Sequence, residues 1–338
     1  MKVLITGGNG FLGSVLTKYL RSDENYKVIT IDNNLYNPKR SLNECVDFRD
    51  FSFSEAKKID AVIHLAGVST NYDPPEKYYQ NIAMSINYKE AVKFAFKAKN
   101  AGVERFIFAS TCSVYGDSEK NVDESSLTRP LTAYGKSKLF AEKELLLMGD
   151  DDFHPIIPRM VTIFGLSDRM RFDVLVNNLI ASYFLNSKII LKSDGLAVRP
   201  QIHVKDVCKI YKKFLEEKIS KISGEIINVG REDYNIQIID FAKIIANYLN
   251  CKLIIGKEKS LDLRSYKVKF SKLKKMFNDV LFEYDVTDAV DEIYGYLEGE
   301  KDIKKLLKNP YFYNLSSIEY IIKNKIVNKR LRYRGENE

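Results

Sequence analysis

Apolar positions along the chain alternate between two periods. Residues 2–5 (Lys-Val-Leu-Ile) form a short apolar run with β-branched members and predict a buried strand. Leu12, Val15, Leu16, Tyr19 and Leu20 then recur at helical spacing. The pairing repeats. Strands are predicted at 26–32 (YKVITID), 60–67 (DAVIHLAG), 105–111 (RFIFAST) and 155–165 (PIIPRMVTIFG). Helices are predicted at 90–102 (EAVKFAFKAKNAG), closed by a glycine, and at 132–147 (TAYGKSKLFAEKELLL), opening after a Pro and a Thr. Apolar strands alternating with helices imply a parallel sheet covered on both faces, with ligands at the carboxyl ends of the strands. After residue 166 the alternation becomes irregular. Helical patterns at 171–186 and 235–249 are separated by short strands at 188–192 and 252–256. The expectation is an α/β chain in three parts. A Rossmann-type doubly wound parallel sheet occupies 1–165. A smaller mixed α/β lobe over 166–300 completes a substrate cleft, some of its elements returning to the first domain. A basic helical extension covers 301–338.

Composition narrows the class. The 338 residues are 45% hydrophobic and 29% charged, as in soluble globular proteins of about two domains. No apolar run reaches the length of a membrane span, and the N-terminus runs straight into a strand without a signal-peptide pattern. Cys45, Cys112, Cys208 and Cys251 lack paired spacing, and His64, His154 and His203 are scattered. Neither a metal site nor a disulfide framework is expected, and the location implied is cytoplasmic, without membrane insertion. The net charge is +8, much of it in the tail. With no nucleic-acid motif beside it, the tail reads as a solvated helical appendage.

The candidate chemistry sits at the ends of the predicted strands. Gly7, Gly8, Gly10 and Gly13 occupy the first strand-to-helix turn. Glycine there permits a tight bend and close packing, and the following helix N-terminus suits a diphosphate. Asp32 closes the second strand about twenty residues later, where a carboxylate accepts bonds from an adenosine ribose and repels the extra phosphate of NADP. Asp32 also suits a turn with Asn33 and Asn34. Asp47 and Phe48 in CVDFRD are candidates for the adenine edge. In YGKSK, Tyr134 and Lys138 are four apart and share one helix face. An ammonium beside a phenol is expected to lower its pKa and make it a proton shuttle. Thr111, at a strand's carboxyl end, is positioned to donate a hydrogen bond to the reacting oxygen.

The stretches ITGGNGFLG, TIDN, VIHLAG, INYKEAVKFAFKAKNAGVERFIFASTCSVYG, AYGKSKLFAE, RPQIHVKDV and NVG cover nearly the whole chain apart from the tail. Together they resemble the extended short-chain dehydrogenase/reductase superfamily, in its sugar-nucleotide epimerase/dehydratase branch (UDP-galactose 4-epimerase-like). The resemblance implies NAD as cofactor. It makes Tyr134 the acid/base, Lys138 the group that orients the nicotinamide ribose, and Thr111 the holder of the sugar oxygen. Cofactor contacts implied in the first turn are Gly7, Gly10, Phe11, Leu12 and Gly13. Further along they are Asp32, Asn33, Asp47 and Phe48, then Leu65, Ala66, Gly67 and Asn87. On the substrate side it implies Cys112 and Ser113, with Asn178 and Leu179 of VNNL at the nucleotide. Arg199 is expected to grip the diphosphate, and Asp262 the ribose, with Lys259 or Arg264 supplying charge. Arg169 and Arg171 are expected near the cleft mouth. The implied partners are a nucleotide-diphosphate sugar and a second copy of the chain. The dimer would pair helices 90–100 and 134–148, whose apolar Phe94, Leu139 and Leu146 face either the partner or the sheet.

Two departures narrow the reaction. The 4,6-dehydratases carry Asp-Glu where this chain has Cys112-Ser113, so dehydration is disfavoured. The GDP-fucose synthase type uses an added Cys and His, and no histidine here is an evident partner for Cys112. An epimerase working through a transient 4-keto sugar is the leading expectation. A 4-dehydrogenase or 4-ketoreductase, heptose substrates included, uses the same residues. A NAD-binding sensor or scaffold is the non-enzymatic alternative, although such relatives usually lose the Tyr or the Lys.

Overall fold

Strands β1 (Lys2–Thr6), β2 (Lys27–Ile31), β3 (Ala61–His64) and β4 (Arg105–Phe108) lie side by side in the order β4-β3-β1-β2, all parallel. The strands His154–Met160 and then Ile226–Val229 extend the sheet beyond β4. A computed structural model provides these coordinates and describes all residues except 38–44, 55, 57, 70–76, 259–263 and 334–338. The strand predicted over 105–111 is broken at Ala109. Its last two residues form β5 (Ser110–Thr111), which pairs with the neighbouring strand as Ser110↔Arg159 and Thr111↔Met160. Every residue of β3 and of His154–Met160 is buried, as befits a parallel sheet covered on both faces.

Helix α1 (Phe11–Arg21) follows the glycine turn, and its N-cap Gly10 offers no side-chain cap. The helix predicted at 90–102 is Ala91–Asn100, and Gly102 ends it at φ +74°. A helix Lys77–Ala83 and a π-helical stretch Met84–Glu90 precede it, which helical spacing alone did not signal. The helix Ala133–Leu147 starts where Thr132 accepts the Gly135 N–H in its side chain at 3.1 Å.

The second lobe packs the helices Leu175–Asn186, Ile238–Tyr248 and Val286–Glu298 beside a parallel pair, Ile189–Ser193 with Leu253–Glu258. The first of these helices starts later than its apolar pattern. Arg171 and Asp173 are held in a salt bridge, and the Phe172 N–H bonds to the Phe312 carbonyl, so these residues stay in a loop.

The tail differs from a solvated appendage. Ile318, Ile321, Val327 and Leu331 are at most 2% exposed and join the apolar cluster around Phe94 and Phe106. Lysines such as Lys304, Lys305 and Lys308 remain exposed. The charge seen in the sequence therefore belongs to an outer face, and the apolar face folds back onto the sheet domain. No helix among the described residues is long and apolar enough to cross a membrane.

Candidate active site

Gly7, Gly8 and Gly13 of the turn have no room for a side chain. Gly7 sits at φ +72°, and a Cβ on it would lie 2.8 Å from the Ala66 nitrogen. A Cβ on Gly13 would overlap the Gly7 carbonyl oxygen. Gly7, Gly10, Phe11, Leu12 and Gly13 line a cavity of about 250 Å³ at the uncapped end of α1. Helix dipole and bare backbone thus meet the same space. An adjoining cavity is bounded by Asp32, Asn33, Phe48, Leu65, Ala66 and Gly67. Asp32 both lines it and holds its own turn, accepting from the Asn9 N–H at 2.9 Å and the Asn34 N–H at 2.7 Å. Asp47 is not on this wall. Its carboxylate pairs with Arg49 at 2.5 Å and accepts from the Asn33 amide, and Arg49 lines the cavity instead. Burial raises the Asp47 carboxyl, but the bonds from Arg49 outweigh burial and hold it below the usual range. Asn87 stands behind the wall. Its amide clamps Val68, accepting from the N–H at 2.7 Å and donating to the carbonyl at 2.8 Å.

At the other end, Thr111, Tyr134 and Lys138 line the first cavity together. Helical spacing brings Tyr134 and Lys138 to one face, and the break before β5 presents Thr111. The Thr111 side chain acts on the Tyr134 hydroxyl and favours its anion. The expected lowering of the phenol by Lys138 is not found. Burial raises the Tyr134 pKa, and the Arg171 charge, the Thr111 side chain and the Arg264 charge only partly offset it. Lys138 is itself buried, its ammonium 4.4 Å from the centre of the Phe108 ring. Burial pushes it down to about 7, against the pull of Glu142. The desolvation that keeps the phenol neutral also discharges its neighbour.

Behind this group lies a buried polar network that spacing did not reveal. Glu142 receives a bidentate ion pair from Arg159, 2.7 Å at the shortest, and a hydrogen bond from Ser110. Arg159 also donates to the Tyr115 oxygen at 3.1 Å, and Tyr115 donates to Asn228 at 2.7 Å. The available signal was Glu142 itself, four residues after Lys138 and flanked by the buried Ala141 and Leu145. Cys112, expected at the substrate, points into this interior. Its thiol donates to the Arg159 carbonyl at 3.2 Å, and burial pushes its pKa up.

On the substrate side, Ser113, Arg264 and Tyr266 line the cavity, and Arg264 donates to the Ser113 hydroxyl at 2.6 Å. Asp262 and Lys259 lie outside the described residues. The structure does not bring Arg199, Asn178 or Leu179 to the cavity wall. Arg199 is buried, donates to the Val198 carbonyl at 3.1 Å, and acts through its charge on Tyr266. The exposed Asn178 donates to the Phe172 carbonyl at 2.8 Å, and Leu179 belongs to the lobe core. Arg169 and Arg171 do line the cavity. Arg171 is held by Asp173 at 2.9 and 3.0 Å. Arg169 lies over the Tyr36 ring at 4.4 Å, and burial pushes its pKa down to about 10. Tyr36, Ser69 and the tail residue Asn314 also line the cavity, and none of the three carried a sequence signal.

These features fit a dinucleotide, with diphosphate on the glycine turn and ribose at Asp32. The UDP-glucose 4-epimerase of Bacillus subtilis (strain 168) is 28% identical over 270 residues, covering 68% of this chain and 77% of that protein. That of Erwinia amylovora is 30% identical over 271 residues, covering 68% and 78%. In fold, the chain is similar to the UDP-glucuronic acid 4-epimerase from Bacillus cereus, solved with UDP-glucuronic acid and NAD. That likeness has a TM-score of 0.76 at 24% identity, over 90% of this chain and 100% of the other. A family model matches residues 3–230, from β1 to just past the strand Ile226–Val229. On that match the chain belongs to the NAD dependent epimerase/dehydratase family.

Proposed function

We propose that the protein interconverts nucleotide sugars that differ in configuration at C4. The observation that carries this reading is the meeting of Thr111, Tyr134 and Lys138 in the cavity floored by the glycine turn. NAD, when bound there, takes up a hydride and returns it. Tyr134 accepts the C4 hydroxyl proton at its phenolic oxygen, and Thr111 holds the sugar oxygen while it is a ketone. Arg171 and Arg264 favour the phenolate by charge, and Lys138 is placed to orient the nicotinamide ribose. After the keto sugar turns over, Tyr134 gives the proton back on the other face. Epimerisation is favoured over dehydration by positions 112 and 113. A core-directed thiol and a neutral hydroxyl bonded to Arg264 stand there, and neither serves as acid for loss of water. Arg264, Arg171 and Arg169 supply positive charge for the diphosphate.

The protein works as a homodimer in the cytosol. Phe96 and Phe140, on the two helices named for pairing, are 55% and 42% exposed, an apolar stripe suited to a second copy. Phe94 and Leu139 instead face the interior. Four free cysteines suit a reducing compartment.

The test is to incubate the protein with UDP-glucose, UDP-glucuronic acid, dTDP-glucose and GDP-mannose, with and without added NAD. Products are read by NMR and NADH by absorbance. Conversion to the C4 epimer without net NADH is expected. Stoichiometric NADH means a dehydrogenase, a 4-keto-6-deoxy product a dehydratase, and bound NAD without any turnover a sensor or scaffold.

A further inference from the structure

Asn314 opens the helix Asn314–Lys323 in the tail, beyond the span matched by the family model. It is 5% exposed, yet it lines the cavity that holds Thr111 and Tyr134. Its orientation is determined by its partners. The side-chain amide donates to the Ser69 carbonyl at 3.1 Å and to the Ser69 hydroxyl at 3.0 Å, and the backbone N–H donates to Asp173 at 3.0 Å. A carbonyl only accepts, so the nitrogen must face Ser69 and Oδ1 must face away. Oδ1 is buried and has no hydrogen-bond partner among the described residues. Buried acceptors are rarely left bare. Two more atoms of the same wall share this condition, Arg169 Nε and the Tyr36 hydroxyl. Arg169 is tied to the tail as well, donating to the Tyr311 carbonyl at 3.2 Å. One acceptor, one donor and one group that does both match the needs of an alcohol, which donates once and accepts. Asn314 and Arg169 line the cavity of Thr111 and Tyr134 and not the adjoining one of Asp32 and Phe48, whereas Tyr36 lines both.

We infer that Asn314 is a specificity-determining residue whose Oδ1 accepts a hydrogen bond from a sugar hydroxyl of the nucleotide sugar other than the reacting one. The inference rests on the proposed function.

The test titrates UDP-glucose and its 2-deoxy, 3-deoxy and 6-deoxy analogues into the NAD-loaded protein by calorimetry, in parallel with turnover. The wild type should bind one analogue roughly tenfold more weakly than UDP-glucose, the size of one hydrogen bond to an otherwise bare acceptor. Asn314→Ala should bind UDP-glucose about tenfold more weakly and no longer distinguish that analogue, with NAD affinity unchanged. Ser69→Ala leaves Oδ1 and the carbonyl that orients the amide in place and should keep the discrimination; Asn314→Ser, too short to bring an acceptor to the same point, should lose it and serves if the alanine variant does not fold. The inference is overturned if Asn314→Ala retains the wild-type ranking of analogues, or if NAD binding is what weakens. A wild type that does not bind UDP-glucose overturns the functional reading and this inference together.

Discussion

Tyr134 needs a way to lose its proton, and its surroundings pull in opposite directions. Burial favours the neutral phenol, whereas Arg171, Thr111 and Arg264 favour the anion. Replacing the hydroxyl removes the shuttle and little else. Tyr134→Phe should lower turnover by about a hundredfold or more. Its thermal midpoint should stay near the wild-type value in a calorimetric scan. An active Tyr134→Phe enzyme would remove this residue from the mechanism. Lys138 leads to a pH effect whose sign is determined by burial. Its folded value of about 7 lies below its ordinary 10.5. Between those values the unfolded chain binds the extra proton, so stability rises with pH across the window. The penalty is complete below about 7. Lys138→Met lacks this titration. Unfolding of the NAD-free protein from about pH 6 to about pH 10 should show wild type gaining on Lys138→Met by up to a few kcal/mol. A constant difference between the two would contradict the placement of a discharged lysine.

Between elements, the helix Ala133–Leu147 is locked to the strand His154–Met160 by the ion pair of Glu142 and Arg159, both almost fully buried. Removing one partner leaves a bare charge in the interior. Glu142→Leu or Arg159→Met alone should cost about 3–5 kcal/mol in denaturant unfolding, and the double variant less than either. A double variant that loses the sum of the two would show that the pair is not coupled. The same helix shows what a local pattern can convey. Thr132 as cap and the spacing of Tyr134 and Lys138 are properties of a few neighbouring residues, so both were readable. Cys112 was not. Whether a residue just after a strand turns toward the cleft or the interior depends on its contact with Arg159 across the sheet. The π-helical stretch that buries Asn87 under Val68 was equally hidden, because its register departs from the helical period.

For the whole molecule, assembly is the property most open to measurement. Light scattering at micromolar concentration should report a dimer. Phe96→Glu with Phe140→Glu should give a folded monomer, since both side chains are already exposed in one chain. A wild-type monomer would reject the proposed interface. The tail also acts at this scale. It covers the sheet domain with one face and presents Asn314 to Ser69, 245 residues earlier in the chain. Short-range pattern settled the alternating strands and helices, the glycine turn, Asp32 at a strand end and the Tyr134–Lys138 pair. In each case backbone geometry over a few residues sets the outcome. Arg169 and Arg171 were already expected at the cleft, but only the tertiary structure decided that Asn314 lines the cavity while Arg199, Asn178 and Leu179 do not. It alone decided that burial, rather than the neighbouring ammonium, sets the proton affinity of Tyr134. Exposure and electric field at a site are sums over residues far apart in the chain, and no local spacing encodes them.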